Sequence, residues 1–102
     1  MDNFEASYTI AAGHPALPGH FPGNPVVPGV VILDHVLQAL HEWQGDALPA
    51  RVQDAKFVSP LLPQETLQVV LSLKNAQTAA FVCRVADRTV AQGRIALQRN
   101  GV

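Results

Sequence analysis

Cysteine, charged residues and aromatic residues are all scarce in this 102-residue sequence. Cys83 is the only cysteine, so no disulfide can form within the chain, which favours a reducing compartment such as the cytoplasm. Charged residues make up 15% and hydrophobic residues 48%, which indicates a folded core rather than a disordered chain. The formal net charge of −1 argues against binding to nucleic acid, and no such partner is expected.

Long hydrophobic runs are also missing. No stretch approaches the roughly 18 apolar residues that a membrane-spanning helix needs, so we expect no membrane span. The first residues, MDNFEASYTI, lack the basic and apolar regions of a signal peptide, and none is expected. Without repeats, linkers or low-complexity segments, residues 1–102 are predicted to form one domain.

Basic residues are absent from the first half of the chain. All seven lysine and arginine residues lie after residue 50, whereas five of the eight acidic residues lie before it. A basic second half could face an acidic partner. Basic residues scattered over solvated strands explain the same asymmetry, and the sequence leaves both interpretations open.

Glycine and proline are concentrated between residues 13 and 29, where they exclude a regular helix or strand. This stretch is predicted to be a long, shaped loop, and ordered loops of this length are usually functional. A helix is expected to begin at Pro28, because proline suits the first helical position, and to end near Trp43 before Gly45. Apolar residues occur on nearly all sides of it, which predicts a mostly buried helix.

Most of the remaining sequence alternates polar and apolar residues, a pattern typical of strands. Leu67, Val69 and Leu71 would line one face, and Phe81 and Cys83 would face the same core. Short turns between these segments indicate an antiparallel meander, and one helix with an antiparallel sheet curved around it makes an α+β domain. The predicted strands cover residues 4–12, 50–58, 66–74, 78–86 and 89–98.

Few side chains in the loop and helix can do chemistry. Asp34 is the only formally charged residue between Pro25 and Leu40, and its neighbours are mostly apolar. An ionised carboxylate in such surroundings is costly, so a chemical role is worth considering. Helical spacing places Gln38 one turn further on, where its amide is expected to hydrogen-bond the Asp34 carboxyl. His20, in the loop, supplies a base that works near neutral pH.

These residues fall within a long gapped motif. The segment His20–Leu40, HFPGNPVVPGVVILDHVLQAL, resembles the motif of the FabA/FabZ family of 3-hydroxyacyl-[acyl-carrier-protein] dehydratases. Val27 stands where the family has methionine, and a weaker match follows in Lys56-Phe57 and Pro60–Pro63. The matching positions are His20, Phe21, Gly23, Pro25, Pro28, Gly29, Asp34 and Gln38.

The resemblance implies a fold and a reaction. The fold is the hotdog, in which the sheet wraps around one long central helix and the strands are out of sequential order. The reaction is that of a hydro-lyase, which converts a 3-hydroxyacyl thioester to the trans-2-enoyl thioester without a metal or another cofactor. His20 would be the base and Asp34 the acid, with Gln38, Phe21 and Gly23 in supporting roles.

The start of the helix has its own implied role. The N–H groups of Gly29 and Val30 would bind the thioester oxygen, because N–H groups at a helix start are free to face negative charge. The missing Cβ of Gly29 would let a substrate approach closely. Backbone donors and apolar walls together would suit an acyl thioester.

The family also implies an assembly and a substrate carrier. Hotdog dehydratases pair two sheets edge to edge, so we expect a homodimer whose active sites take the histidine from one chain and the acid from the other. Higher oligomers are left open. The acyl group would be carried by acyl carrier protein or by coenzyme A.

Alternatives remain at this point. Another hotdog function is thioester hydrolysis, and a third is a non-catalytic subunit that binds acyl groups. The chain would be short for the family, since the N-terminal segment of FabZ-like members is not expected. The reaction could therefore belong to fatty-acid synthesis or to aryl polyene or polyketide formation. His14 is expected in an exposed turn, His35 in packing or an interface, and His41 and Glu42 at a solvated helix end.

Overall fold

The computed structural model describes residues 3–10, 26–45 and 47–99. Within these ranges one helix packs against one face of a five-stranded antiparallel sheet. The elements are β1 (Asn3–Thr9), α1 (Gly29–Trp43), β2 (Ala47–Phe57), β3 (Thr66–Asn75), β4 (Thr78–Val85) and β5 (Arg88–Arg99). The α+β prediction is confirmed, and each predicted strand lies within a few residues of an observed one.

The spatial order of the strands is β1-β3-β4-β5-β2. The meander predicted from the sequence is the run from β3 to β5, where each strand pairs with the next across a short turn. In the first turn the Asn75 side-chain oxygen accepts the N–H of Gln77 at 2.8 Å, and in the second Ala86 adopts a φ of 53°. β1 and β2 lie at the two edges, which gives the out-of-sequence order that the family resemblance implies.

The core lies between the inner face of the sheet and one side of the helix. Leu67, Val69 and Leu71 alternate along β3 and are fully buried, as their spacing predicts. Phe81 and Cys83 occupy the equivalent face of β4, and burial raises the pKa of the Cys83 thiol to about 12. Cys83 is therefore a core residue, as expected from its strand position.

Only one side of α1 is buried. Its buried side chains face the sheet and are Val31, Ile32, Val36, Ala39 and Leu40. Burial of a large apolar side chain stabilises the fold by about 1.5–3 kcal/mol, so this contact is the main support of the helix. The opposite side is exposed at Val30, Asp34, Gln38 and Glu42. The prediction of a mostly buried helix is wrong for the single chain, because the sheet covers one face and the described residues put nothing on the other.

The helix also begins one residue later than predicted. Pro28 is the N-cap, with an extended backbone at φ −61° and ψ 147°, and Gly29 is the first helical residue. The proline ring fixes φ near this value whether the residue is extended or helical. The sequence therefore does not show whether Pro28 is the N-cap or the first helical residue. The other end agrees with the prediction, since Trp43 is the last helical residue and Gly45 lies in a turn.

β2 is an unusual edge strand. It pairs with β5 along its length, with register shifts between Pro49 and Arg51 and between Val52 and Asp54. Every side chain from Arg51 to Phe57 is exposed, on both faces of the strand. Strands in small domains normally bury one face, so this strand presents surface that the single chain leaves uncovered.

Candidate active site at the start of the helix

The residues predicted from the sequence divide into two groups. His20, Phe21 and Gly23 lie outside the described residues, and so does His14. Gly29, Val30, Asp34 and Gln38 all lie on α1. The structure therefore places the predicted thioester-binding and acid residues on one helix.

The first turn of α1 presents backbone donors. The first hydrogen bonds of the helix are those from the N–H groups of Val31 and Ile32 to the Pro28 carbonyl, at 3.0 and 3.4 Å. Gly29 and Val30 precede them, at positions where a helix has no carbonyl of its own to accept their N–H groups. Among the described residues no side chain caps this end, and no acidic residue stands in the first turn. The partial positive charge of the helix start is thus left for another group.

Gly29 is packed against an aromatic ring. A Cβ added to Gly29 would lie 2.9 Å from Cζ of Phe57 and 3.1 Å from its Cε1. We expected the missing Cβ to make room for a substrate, whereas in the structure that space faces Phe57. Sequence reasoning gave Phe57 no role, although the weaker Lys56-Phe57 match to the family was a signal for it.

The loop between β2 and β3, residues 58–65, holds this end of the helix in place. The Leu61 carbonyl accepts the N–H of Val27 at 2.9 Å, two residues before the helix, and Leu61 itself is buried. The Ser59 hydroxyl donates to the Thr89 carbonyl on β5 at 2.8 Å. The loop is thus fixed both to the sheet and to the segment that leads into α1.

An ion pair closes the same loop. Arg88 donates to Glu65 at 2.8 Å and to the Pro60 carbonyl at 3.2 Å. Glu65 also accepts the N–H of Leu62 at 2.9 Å. The hydrogen bond from Arg88, followed by that from Leu62, lowers the pKa of the Glu65 carboxyl below its usual value of 4.5.

Asp34 lies one turn beyond Val30 on the exposed side of α1. The sequence predicted a carboxylate in apolar surroundings, and the single chain does not provide them. Its apolar neighbours along the sequence belong mostly to the opposite, sheet-facing side of the helix. Nothing among the described residues covers Asp34, and a second chain or a bound substrate would bury it.

Gln38 does not make the predicted contact with Asp34. Its side-chain amide points toward the helix end and donates to Glu42 at 3.5 Å, a long hydrogen bond between exposed groups. Gln38 has an acidic residue four positions away on each side, Asp34 and Glu42, and in the structure it donates to Glu42. Glu42 and His41 are exposed, as predicted for the helix end.

Aromatic contacts tie α1 to β1 beyond the candidate site. His35 stacks on Tyr8 with 4.5 Å between ring centroids, and Trp43 stacks on Phe4 at 6.1 Å. Burial, and secondarily the negative charge of Glu42, raises the pKa of the Tyr8 hydroxyl. His35 therefore packs against β1, one of the two roles expected for it, and Trp43 does so as well.

A shallow cavity of about 480 Å³ lies elsewhere, over β2, β4 and β5. Its lining includes the ion pair between Arg94 and Asp54, at 2.6 Å, together with Lys56 and Gln92. None of the residues predicted for the reaction lines it. Among the described ranges there is also no cluster of three or more histidine, cysteine or acidic residues that could hold a metal ion.

The sheet, the single helix and the open helix start define a hotdog-fold protein. The chain belongs to the ApeI-like family, described as ApeI dehydratase, whose sequence model matches residues 1–94. A 3-hydroxyacyl-[acyl-carrier-protein] dehydratase FabZ of Haemophilus influenzae is 36% identical over 88 residues, which cover 76% of this chain and 60% of that protein. The chain spans only 52% to 60% of the length of the first curated relatives that it matches.

Solved structures agree with this family. The dehydratase heterocomplex ApeI:P from Xenorhabdus doucetiae superposes with a TM-score of 0.84 at 25% identity, over 96% of this chain and 88% of that one. A probable thioesterase from Bartonella henselae gives a TM-score of 0.72 at 13% identity, over 98% and 93% of the two chains, which is a likeness of fold alone. None of the helices in the described ranges has the length and apolar character to cross a bilayer.

Proposed function

We propose that the chain is a hydro-lyase that removes water from a 3-hydroxyacyl thioester and releases the trans-2-enoyl thioester. The observation that carries the proposal is the uncapped start of α1, with Asp34 one turn away on the same exposed side. Membership of the ApeI-like family and the similarity to FabZ dehydratases support the same reaction.

The proposed chemistry needs three groups. Neutral His20 takes the proton from C2 of the substrate, and the electrons of that C–H bond form the C2–C3 double bond. The C3–O bond breaks, and Asp34 gives its proton to the leaving hydroxyl, which departs as water. The N–H groups of Gly29 and Val30 hold the thioester oxygen while negative charge develops on it.

We further propose that two copies of the chain build each site. The five large apolar side chains that the described residues leave exposed all lie on the first turn of α1, on β2 or just after it: Val30, Val52, Phe57, Val58 and Leu62. An apolar surface gathered in one region is typical of an interface. A homodimer joined along β2 would cover it, and in the proposed site His20 of one protomer acts together with Asp34 of its partner.

The charges and apolar residues of β2 suit pairing with a second β2. An antiparallel pair centred on Ala55 sets Asp54 opposite Lys56 of the other copy, twice, and sets Val52 opposite Val58. The ApeI:P dehydratase of Xenorhabdus doucetiae is a heterocomplex, so pairing with a different chain is the competing arrangement. The mass of the purified assembly separates a homodimer from a chain that awaits another partner.

Acyl carrier protein is the proposed carrier of the substrate. Lys74 and Arg84 are exposed and lie outside the proposed β2 interface, so they are available to an acidic partner, and the FabZ relatives are dehydratases of acyl groups on this carrier. Coenzyme A thioesters are the alternative, to be tested beside it. The proposed setting is cytoplasmic fatty-acid synthesis or a related pathway.

Identification of the product tests the proposal. The protein is incubated with 3-hydroxyacyl thioesters of several chain lengths on acyl carrier protein and on coenzyme A, and the acyl group is weighed by mass spectrometry. We expect the acyl group to lose the mass of one water with the wild type and to keep its mass with His20→Ala. His41→Ala, a control at the exposed helix end, should dehydrate the substrate as the wild type does. Release of a free acid would point to a thioesterase, and an unchanged substrate to a non-catalytic subunit.

A further inference from the structure

The backbone conformation of position 29 does not require glycine. The φ of Gly29 lies outside the left-handed region, so an alanine could adopt its backbone. Alanine is also the better helix former, and replacing glycine at a compatible helical position normally stabilises a protein. Whether an alanine fits therefore depends on what its methyl group would meet.

The nearest group to a side chain at position 29 is the end of the ring of Phe57, a residue that is 48% exposed. Cζ, the tip of the ring, is the atom nearest to the position of a Gly29 Cβ, at 2.9 Å, with Cε1 and Cε2 at 3.1 and 3.3 Å. Carbon atoms without a bond between them do not approach so closely. The ring thus occupies the side of Gly29 where a side chain would project.

The backbone on both sides of this contact is fixed. Phe57 pairs with Ala91 on β5, and the next N–H, that of Val58, donates to the Val90 carbonyl at 2.8 Å. Val27, just before the helix, is held by Leu61 from the same loop. The helix start is therefore set by two neighbouring contacts, one through the backbone and one through the ring.

We propose that Phe57 is a positioning residue, whose ring sets where the N–H groups of Gly29 and Val30 point. The role in catalysis rests on the proposed dehydratase function, in which these groups bind the thioester oxygen. An error in their direction would weaken binding of the developing negative charge more than binding of the ground state. Loss of the ring should therefore lower kcat with little change in KM.

The packing is tested first by a double-mutant cycle on the full chain, with Tm as the readout. We expect Gly29→Ala to lower Tm in the wild-type background, because the new methyl group meets the ring. In the Phe57→Leu background the same change should leave Tm unchanged or raise it, since alanine then shows its helical preference. A higher Tm for Gly29→Ala in both backgrounds would overturn the proposal.

Phe57→Tyr is the sharper variant, because its hydroxyl is attached to Cζ, the atom that faces Gly29. It should lower Tm as Gly29→Ala does, although tyrosine otherwise conserves the ring. Wild-type behaviour of Phe57→Tyr in both Tm and kcat would show that the ring does not rest on Gly29.

Kinetics test the positioning role. Phe57→Leu should lower kcat about tenfold or more while KM stays within about twofold. Phe4→Leu is the matched control: the same substitution removes a ring that stacks on Trp43 and lies outside the proposed site, so it should lower Tm without this loss of kcat. Equal kcat values for the Phe57→Leu variant and the wild type would contradict the role.

One readout needs no substrate, so it separates a failure of this inference from a failure of the proposed function. The amide resonance of Gly29, followed by ¹H–¹⁵N NMR, should shift in Phe57→Leu and stay in place in Phe4→Leu. If the wild type proves inactive on every thioester, a shifted Gly29 resonance still supports the contact of the Phe57 ring with Gly29 on which the positioning depends. An unchanged resonance refutes it.

Discussion

At the scale of single residues, the proposed site depends on side chains that the single chain leaves exposed. Asp34 and Gln38 point away from the core, and Val30 is 65% exposed at the helix start. In contrast, side chains that form the core, such as Phe81 and Cys83, are buried. A change at Asp34 should consequently affect chemistry without affecting the fold.

Asp34→Asn is the corresponding prediction. The variant should still fold, because the carboxylate makes no buried contact within the described part of its own chain, while kcat falls by roughly 10² to 10⁴ because the acid is lost. Thermal unfolding and steady-state dehydration of a 3-hydroxyacyl thioester measure the two effects. Glu42→Gln, the same kind of change on the same exposed side of the helix, should keep full activity. Equal activity of Asp34→Asn and the wild type would remove Asp34 from the mechanism.

At the scale of elements, the helix start depends on the loop after β2. Residues 58–65 connect β5, the approach to α1 and the Arg88–Glu65 ion pair. Glu65 combines that ion pair with a hydrogen bond from the loop backbone, so its charge matters to the loop as a whole. The stability that it contributes should depend on pH.

The direction of that dependence follows from the lowered pKa of Glu65. A carboxyl with a lower pKa in the folded state stabilises the protein above its unfolded pKa, and this contribution is lost as pH falls through the folded pKa. Urea unfolding at pH 7 should show Glu65→Gln to be less stable by about 0.5–1 kcal/mol, a value for a partly exposed pair.

The difference between wild type and Glu65→Gln should disappear in acid, below the folded pKa of the group. Asp87→Asn, at an exposed acid in the turn beside Arg88, serves as the control and should show no comparable loss at pH 7. A difference that persists unchanged at low pH would mean that the charge of Glu65 does not stabilise the loop.

At the scale of the whole molecule, β2 and the outer side of α1 are both surfaces that the single chain leaves uncovered. Neither has a covering element among the described residues, and the large exposed apolar side chains are gathered there. The proposed second copy along β2 would cover that strand, and in the proposed site it also supplies the partner of Asp34. The proposed pairing has a register that can be trapped chemically.

Ala55→Cys tests that register. Residues at the centre of an antiparallel pair face their own copies at a Cα separation of about 4.5–5.5 Å, which suits a disulfide. Mild oxidation should give a cross-linked dimer on a non-reducing gel, reversed by a reductant, while buried Cys83 stays unreacted. Lys74→Cys, exposed on β3, should give none. A dimer of correct mass that does not cross-link through position 55 would rule out this register.

Much of the fold could be predicted because its determinants are local. Alternation along β3 and β4, the turn residues between them and the glycine after Trp43 each predict their own element. The order of the edge strands could not be obtained from these patterns, since it depends on contacts between distant segments such as β1 with β3. It followed only from the family resemblance.

The helix that carries three of the predicted site residues could be predicted, but their environment could not. The motif placed Gly29, Asp34 and Gln38 on one helix, where they are found. The isolation of Asp34 in an apolar sequence suggested burial, yet an apolar neighbour in sequence often lies on the other side of a helix. The contact of Phe57 with Gly29 joins segments far apart in the chain, and no local pattern reports it.

The most direct test of the central claim uses two inactive variants together. His20→Ala and Asp34→Asn are mixed under conditions that exchange protomers, and loss of water from a 3-hydroxyacyl thioester is followed by mass spectrometry. If each site combines His20 of one chain with Asp34 of its partner, half of the mixed dimers' sites are intact, and random exchange should restore about one quarter of the wild-type rate. No recovery from a mixture shown to have exchanged would contradict a shared site, and high activity of either variant alone would contradict the mechanism.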